Sequence, residues 1–445
     1  MNVVFTEVHV GIDDLDSPSG GCTTHAAYRL VRKLINEYGA RFIDYPNLVR
    51  LNPAIPFKTR GNGAVALRFM IPENKFDEVS ELIIKFLFNY VKELPYRPET
   101  EPGIVIVKGK PERKFKDLYL KALTDYVPHD IVTDTLNESR NVTWYPRKWS
   151  KGLVGAAAAV GWIPPHDCTY ELLIYRLKRD SARCIDFNSV IMMDKETHGE
   201  TFLNIDTESR KTLITPGGPD PVLCGIRGNN PEVLLKALRI IKICEPIEGW
   251  IIFRSNQHTD AHHVTRNTKL FRVFQTGCVS GIVSSKPITL EGGAIVVKIC
   301  DSFGCIYIAS FRESKLSRVL QRVRVNDVIK ACGLTKFWEG FGIVLQAEKI
   351  VLRYVPGYVA RNPHCPNCGK RLKSVGRHGG FKCTRCGFKF ITGKWVEYDV
   401  IERDIREGLY LPPPKSFKHL MKPLERYGSE NLYTEFKEPW TKWIK

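Results

Sequence analysis

Long apolar runs are missing from this 445-residue chain. No uncharged stretch reaches the ~18 residues that a membrane-spanning helix needs, so no membrane partner is expected. The N-terminus lacks a basic segment followed by an apolar one and a cleavage site, which argues against a secretory signal and for a cytoplasmic protein. Acidic residues are in deficit: 48 Asp and Glu stand against 66 Lys and Arg, a formal net charge of +18. The deficit is steepest from Lys349 to Val396, where neither Asp nor Glu occurs. Such a balance favours a polyanionic partner, nucleic acid first. Cysteine is not scarce, but the 13 residues are an odd number. Four fall in two CxxC pairs, and the rest are scattered, many in apolar segments. That predicts a reduced intracellular protein with one metal site and small buried thiols rather than a disulfide framework.

The stretch that organises the rest is VHVGIDDLDSPSGGCTT, residues 8 to 24. Val8 to Ile12 has strand character. Asp13, Asp14 and Asp16 follow at once, then a turn containing Gly20 and Gly21. Cys22, Thr23 and Thr24 lead into a helix whose apolar residues Ala27, Leu30, Val31, Leu34, Ile35 and Tyr38 recur at helical spacing, with Gly39 placed to end it. Turn formation alone accounts for Ser, Pro and Gly here. It does not account for three carboxylates within four positions, which repel one another unless a cation is present. Carboxylate oxygens suit Mg²⁺, which keeps phosphate oxygens as its other ligands. Free N–H groups at a helix start suit the same phosphates. Thr23 carries a hydroxyl that can accept a phosphoryl group.

Downstream, Lys58 to Gly63 (KTRGNG) sits before a strand at Ala64 to Ile71. It supplies Lys58, Arg60 and backbone N–H groups to phosphates, or serves only as a solvated connector. Lys75 to Leu94 and Pro111 to Tyr126 read as helices with a strand at Ile104 to Lys108 between them, a small α+β module with little chemistry of its own. Lys148 and Lys151 precede a helix of very small residues, Gly152 to Gly161, that permits close backbone packing. After a strand at Leu172 to Leu177 the chain reads as polar and looped through Glu208. A Pro- and Gly-rich loop then carries Asp220 and Arg227 on either side of an apolar run. A strand at Trp250 to Phe253 ends in the polar cluster RSNQHTDAHH. His258 and His262 have HxxxH spacing, but no helical pattern surrounds them, so polar recognition is favoured over a metal there.

Phe271 to Arg353 shows five strands with a helix between the third and fourth, the plan of an OB-fold, whose face binds oligonucleotides. Cys365-x-x-Cys368 and Cys383-x-x-Cys386 follow, separated by fourteen residues and each trailed by a glycine. This spacing predicts a closed tetrahedral zinc site with four thiolate ligands, structural rather than catalytic. Arg371, Lys373, Arg377, Lys382 and Lys389 make the ribbon basic. Residues 401 to 445 read as a short helix and an extended strap.

In this order, GIDDLD…GGCTT, RLNPAIPFKTRGNGAVA, KGLVGAAAAVG, PVLCGIRG, NQHTDAH, a barrel and a four-cysteine ribbon resemble one family along nearly the whole chain: the archaeal tRNA(Ile) agmatinylcytidine synthetases. The resemblance implies an α+β multidomain architecture. A kinase-like catalytic domain (1–62 and 129–212) is interleaved with a ferredoxin-like domain (63–128 and 213–265). An OB-fold (266–355), a zinc ribbon (356–400) and a tail (401–445) follow. It further implies an ATP-dependent ligase that joins agmatine to the wobble cytidine of the isoleucine tRNA with anticodon CAU. ATP is cleaved to AMP and phosphates, and the cytosine 2-oxo group is activated by phosphorylation. Thr23 then maps to the autophosphorylated catalytic residue, with Asp13, Asp14 and Asp16 beside it. Gly20, Gly21, Cys22, Thr24, Lys58, Arg60 and Lys151 are the expected phosphate contacts of Mg²⁺-ATP. Asp220, Arg227 and Asp260 are candidates to hold agmatine, and Cys365, Cys368, Cys383 and Cys386 to hold structural Zn²⁺. Leu15 and Gly21 depart from the family's Thr and Met in the acidic turn without removing a carboxylate or Thr23. Two other readings compete: a non-catalytic tRNA or single-strand binder built on the barrel and ribbon, for which the three acids have no use near nucleic acid, and a small-molecule phosphoryl-transfer enzyme, for which the basic ribbon has none.

Overall fold

A computed structural model describes residues 3–58, 61–94, 100–164, 167–178, 182–376, 379–390, 396–430, 436 and 443–445. The predicted helix after the acidic turn is present as α1 (Thr23–Tyr38), closed by Gly39 at φ 59°, a left-handed conformation that glycine adopts without a Cβ penalty. Its inward stripe, including Leu30, Val31 and Leu34, is fully buried. Around it run β1 (Phe5–Asp13), β2 (Asn47–Arg50), β3 (Gly63–Pro72), α2 (Phe76–Lys92) and β4 (Gly103–Lys108). They pair in the order β2-β3-β1-β4, a split βαβ plait of ferredoxin type. Helices α3 (Arg113–Thr124) and α4 (His129–Asn137) and strand β5 (Val142–Tyr145) follow, with β5 added beyond β4.

Helix α5 (Gly152–Gly161) lies directly on this sheet. A Cβ on Gly11 would fall 1.9 Å from the Ala156 carbonyl oxygen, and one on Gly103 2.0 Å from the Gly152 carbonyl carbon. Glycine on the strands and alanine on the helix are therefore what let the two backbones touch, and nearly the whole helix is buried.

The next unit contains β6 (Thr169–Arg176), α6 (Phe187–Glu196), β7 (Val222–Gly228), α7 (Pro231–Ile240) and β8 (Ile247–Ser255). Strand β8 joins β2 in parallel, with Arg254 opposite Asn47, so both units share one nine-stranded sheet. A division at residues 62 and 63 falls between the paired strands β2 and β3. Helix α6 corrects the looped reading of residues 178 to 208. Only Val190 and Met193 are its buried apolar residues, too few to show a period, but Asp186 caps it by accepting from the Ser189 N–H at 2.7 Å.

The barrel comprises β9 (Thr276–Val283), β10 (Ile295–Cys300), β11 (Cys305–Ser310), α8 (Leu316–Leu320), β12 (Val328–Trp338) and β13 (Gly342–Tyr354). Its strands pair β9-β12-β13-β11-β10, and β10 returns to β9, which closes the barrel in OB-fold order. The tail makes a strand with β13 at Gly408–Tyr410 and two short 3-10 turns. It then returns to the nine-stranded sheet, where Trp443 is buried and the Ile252 N–H of β8 donates to the Trp443 carbonyl.

The cysteines require a correction. Cys184 is bonded to Cys244, Cys278 to Cys332 and Cys300 to Cys305. The second and third of these pairs sit directly opposite each other on neighbouring barrel strands, a proximity that strand register creates and that a separation of 54 residues hides for Cys278 and Cys332. An odd total also concealed the even subset.

Candidate functional site

Two helix N-termini open on one cavity of ~580 Å³: Thr23 begins α1, Gly152 begins α5, and both line it. Neither helix has an acidic residue in its first turn, so both dipoles are available to an anion. Asp13, Asp14 and Asp16 line the same space.

Asp13 ends β1, and its Oδ1 accepts the Asp14 N–H at 2.8 Å. A Cβ on Gly155 would fall 1.8 Å from Asp13 Oδ2, so only glycine lets α5 come this close to the carboxylate. Burial pushes the Asp13 carboxyl well above the usual range, and the charges of Asp14 and Asp16 add to it. The ionised form of Asp13 is thus costly here unless positive charge is brought to it. Asp14 adopts a left-handed φ of 57°; its Oδ2 accepts the Glu101 N–H at 2.7 Å and lies 3.5 Å from Lys151 Nζ. Three crowded carboxylates, one of them raised, are a donor set suited to a hard divalent cation.

Thr23 is buried, and its Oγ1 accepts the Leu15 N–H at 3.2 Å, which leaves its own proton free to be transferred. Cys22 Sγ and Thr24 Oγ1 are 3.0 Å apart; burial pushes the Cys22 thiol up, so it is no thiolate nucleophile. Gly20 and Gly21 pair with Asp16 and Ser17 in a two-residue ladder. They shape the hairpin and do not line the cavity. Lys58 lines it, although its ammonium also donates to the Pro53 and Ile55 carbonyls at 2.7 and 2.8 Å. Arg60 lies outside the described residues.

The three candidates for agmatine separate. Asp220 and Arg227 line the cavity, Asp220 beside Arg183 and Arg227 paired with Glu171 at 3.1 Å. Asp260 does not: it lies between His263 and Lys349 at the junction with the barrel. His258 and His262 also part company, since His258 Nδ1 meets the Met421 carbonyl while His262 Nε2 meets Glu348 at 2.9 Å. Both His258 and Asp260 have positive φ, so the loop is no helix.

Several cavity residues escaped the sequence reading: Glu101, Asp125, Glu171 and, from the tail, His419. A carboxylate in the middle of TYELLIYR was a signal, because an unpaired acid in an apolar strand is costly. Nothing local marked His419.

Far from this cavity in sequence, Cys365, Cys368, Cys383 and Cys386 converge, all four sulfurs within 4.8 Å of one another. Gly369 and Gly387, at φ 69° and 76°, close the two knuckles, and the Arg385 and Cys386 N–H groups point at Cys383 Sγ. Four thiols so placed fit Zn²⁺.

Residues 9–145 match the model of the TiaS TCKD domain, 150–262 that of the TiaS FLD domain, and 362–405 that of the TiaS C-terminal zinc ribbon domain. The TiaS of Ignisphaera aggregans, named as a 2-agmatinylcytidine synthetase of an isoleucine tRNA, is 44% identical, covering 96% of this chain and 94% of its own. The chain belongs to the TiaS family. The Staphylothermus marinus TiaS is 39% identical over 98% of this chain and 97% of its own. Among solved structures, a complex of TiaS with its isoleucine tRNA and ATP superposes with a TM-score of 0.78 at 32% identity, covering 95% of this chain and 97% of that one. A complex of TiaS with the same tRNA, AMPCPP and agmatine gives 0.76 at 29% identity, covering 97% and 100%. The kinase-like, ferredoxin-like, OB and ribbon plan is thus that of TiaS.

Proposed function

We propose that this chain is an ATP-dependent ligase that conjugates agmatine to C2 of the wobble cytidine of the AUA-decoding isoleucine tRNA. One observation carries the reading: three crowded acids and a threonine hydroxyl share a cavity with two helix N-termini. Asp13, Asp14 and Asp16 would hold Mg²⁺, which supplies positive charge to the triphosphate when bound. The N-termini of α1 and α5, with Thr24, Lys58 and Lys151, orient the phosphate oxygens. Thr23 Oγ takes the γ-phosphoryl group of ATP as the bond to the β-phosphate oxygen breaks and leaves its electron pair on that oxygen, and one of the neighbouring carboxylates receives the threonine proton. Phosphorylation of the cytosine 2-oxo oxygen makes that oxygen a leaving group. The C2–N bond to the primary amine of agmatine then forms as the C2–O bond breaks, and phosphate departs with the electron pair and takes up the proton that the amine gives up. Asp220 offers a carboxylate to the guanidinium of agmatine.

The target base leaves the anticodon stack to enter the cavity. The barrel and the basic, zinc-bound ribbon hold the tRNA by charge and stacking. No helix among the described residues is long and apolar enough to cross a membrane. We assign the protein to the cytoplasm, where its tRNA substrate is; disulfides occur in intracellular proteins of hyperthermophilic archaea.

The test is incubation with ATP, agmatine and the isoleucine tRNA, followed by nucleoside mass analysis. The expected result is loss of cytidine and gain of its agmatine conjugate. Unmodified tRNA would leave the non-catalytic binder as the better reading.

A further inference from the structure

The matched family models end at residue 405, yet the chain beyond them builds part of the cavity wall. The segment from Lys418 to Tyr427 is clamped along the NQHTDAH loop. The His258 N–H donates to the His419 carbonyl and the Asp260 N–H to the Leu420 carbonyl, at 2.8 and 2.9 Å. Arg426, fully buried, donates to Asn229, to the His258 carbonyl and to Asp167. This clamp carries the His419 imidazole to the cavity, beside Arg50 and Gly61. A Cβ on Gly61 would lie 2.6 Å from His419 Nε2 and 2.7 Å from Arg50 Nη1, so glycine there makes room for both.

The tautomer of His419 follows from its neighbours. Gln257 Nε2 donates to Glu171 Oε2 at 2.5 Å, which turns Gln257 Oε1 toward His419 Nδ1 at 3.2 Å. Oε1 is an acceptor, so Nδ1 carries the proton and Nε2 keeps its lone pair. The Arg50 charge, burial and the Arg227 charge hold His419 well below the usual imidazole range, so it stays neutral. Nε2 is thus an obligate acceptor, flanked by the guanidiniums of Arg50 and Arg227. The two guanidiniums share one carboxylate, Glu171, so this side of the cavity keeps positive charge and favours a neutral base that acquires a phosphate. An obligate acceptor wants an N–H donor, and cytosine presents one in its 4-amino group, where uracil presents an oxygen.

We propose that His419 Nε2 accepts a hydrogen bond from the 4-amino group of the target cytosine and so reads the base that the enzyme modifies. This rests on the functional reading given above. It makes the C-terminal strap a specificity element.

The test uses the full-length zinc-bound protein and tRNA carrying either cytidine or 2-pyrimidinone, which has hydrogen in place of the amino group, at the wobble position. Wild type is expected to prefer cytidine on the order of 10- to 100-fold in kcat/KM. His419→Ala should bring the two substrates within about threefold of each other, the signature of a coupled pair. His419→Gln, whose amide oxygen can accept the same bond, should restore part of the preference. The preference is read as a ratio within each variant, so that a general loss of rate cancels. A cytidine preference that survives His419→Ala would overturn the assignment. So would a change confined to the KM for agmatine, which would give the imidazole to the amine instead. If wild type modifies neither tRNA, the functional reading itself fails, and the two failures are told apart.

Discussion

Two enclosed acidic clusters behave in opposite ways. At the cavity, Asp13 is packed against α5 with Asp14 and Asp16 close by, and burial with their charge holds its carboxyl well above the usual range. At the junction with the barrel, burial alone would do the same to Glu348. There Lys418 at 2.9 Å and the His262 and His263 imidazoles at 2.9 and 3.2 Å outweigh it, and the carboxyl is held well below. Asp260 beside it is likewise held down by His263 and Lys349. At the junction the cations outweigh burial; at the cavity Lys151, 3.5 Å from Asp14, does not bring Asp13 down. An internally neutralised cluster joins domains. A carboxyl held above its usual range is poised for positive charge that arrives from solution.

Removing charge should therefore have opposite consequences at the two places. The largest effect belongs to the cavity: Asp13→Asn and Thr23→Ala should lower ATP-dependent product formation by on the order of 10²- to 10³-fold or more, with tRNA affinity in filter binding nearly intact. A wild-type rate from either would remove the site from the reaction. Without nucleotide, Asp13→Asn should melt at or above the wild-type temperature, because repulsion is relieved. At the junction, Glu348→Gln removes the carboxylate that the His262 and His263 imidazoles share and should cost about 1–3 kcal/mol in denaturant unfolding, while labelling of Thr23 per folded molecule is unchanged. If both variants shift stability in the same direction, the contrast is lost.

The ribbon gives the next effect. Cys383→Ser should lose zinc by metal analysis and weaken tRNA binding more than ATP hydrolysis; equal tRNA affinity without the metal would count against the ribbon's role.

The smallest effect is a pH dependence. Burial lowers the pKa of His263, but hydrogen bonds and charge from Asp260 and Glu348 outweigh it, so its folded value lies above 6.5. Its contribution to stability is fully present below about pH 6.5 and is lost as pH rises through the folded value. Wild-type stability in denaturant unfolding should decline over this alkaline range, and Glu348→Gln should flatten the decline.

The acidic turn, α1, the barrel strands and the zinc knuckles were legible because each is local: a carboxylate cluster, a 3.6-residue period, alternating strands, fixed CxxC spacing. What escaped is nonlocal. Glu171 meets Arg227 only because β6 and β7 are paired, and His419 reaches Gln257 across 162 residues. Asp260 looked like a ligand contact from its polar company, but its fate depends on Lys349, a barrel residue whose proximity no spacing reveals. The disulfides follow the same rule, since strand register and not sequence distance pairs Cys278 with Cys332. Helix α6 was hidden for a different reason: its buried face is too narrow to give a period.

The clamped strap also sets an order of events during synthesis. Thr23 emerges from the ribosome early, and the imidazole that shares its cavity follows 396 residues later (419 − 23). At ordinary elongation rates of about 5–20 residues per second that is a delay of roughly 20–80 s. Until then the cavity lacks the part of its wall that the segment around His419 supplies.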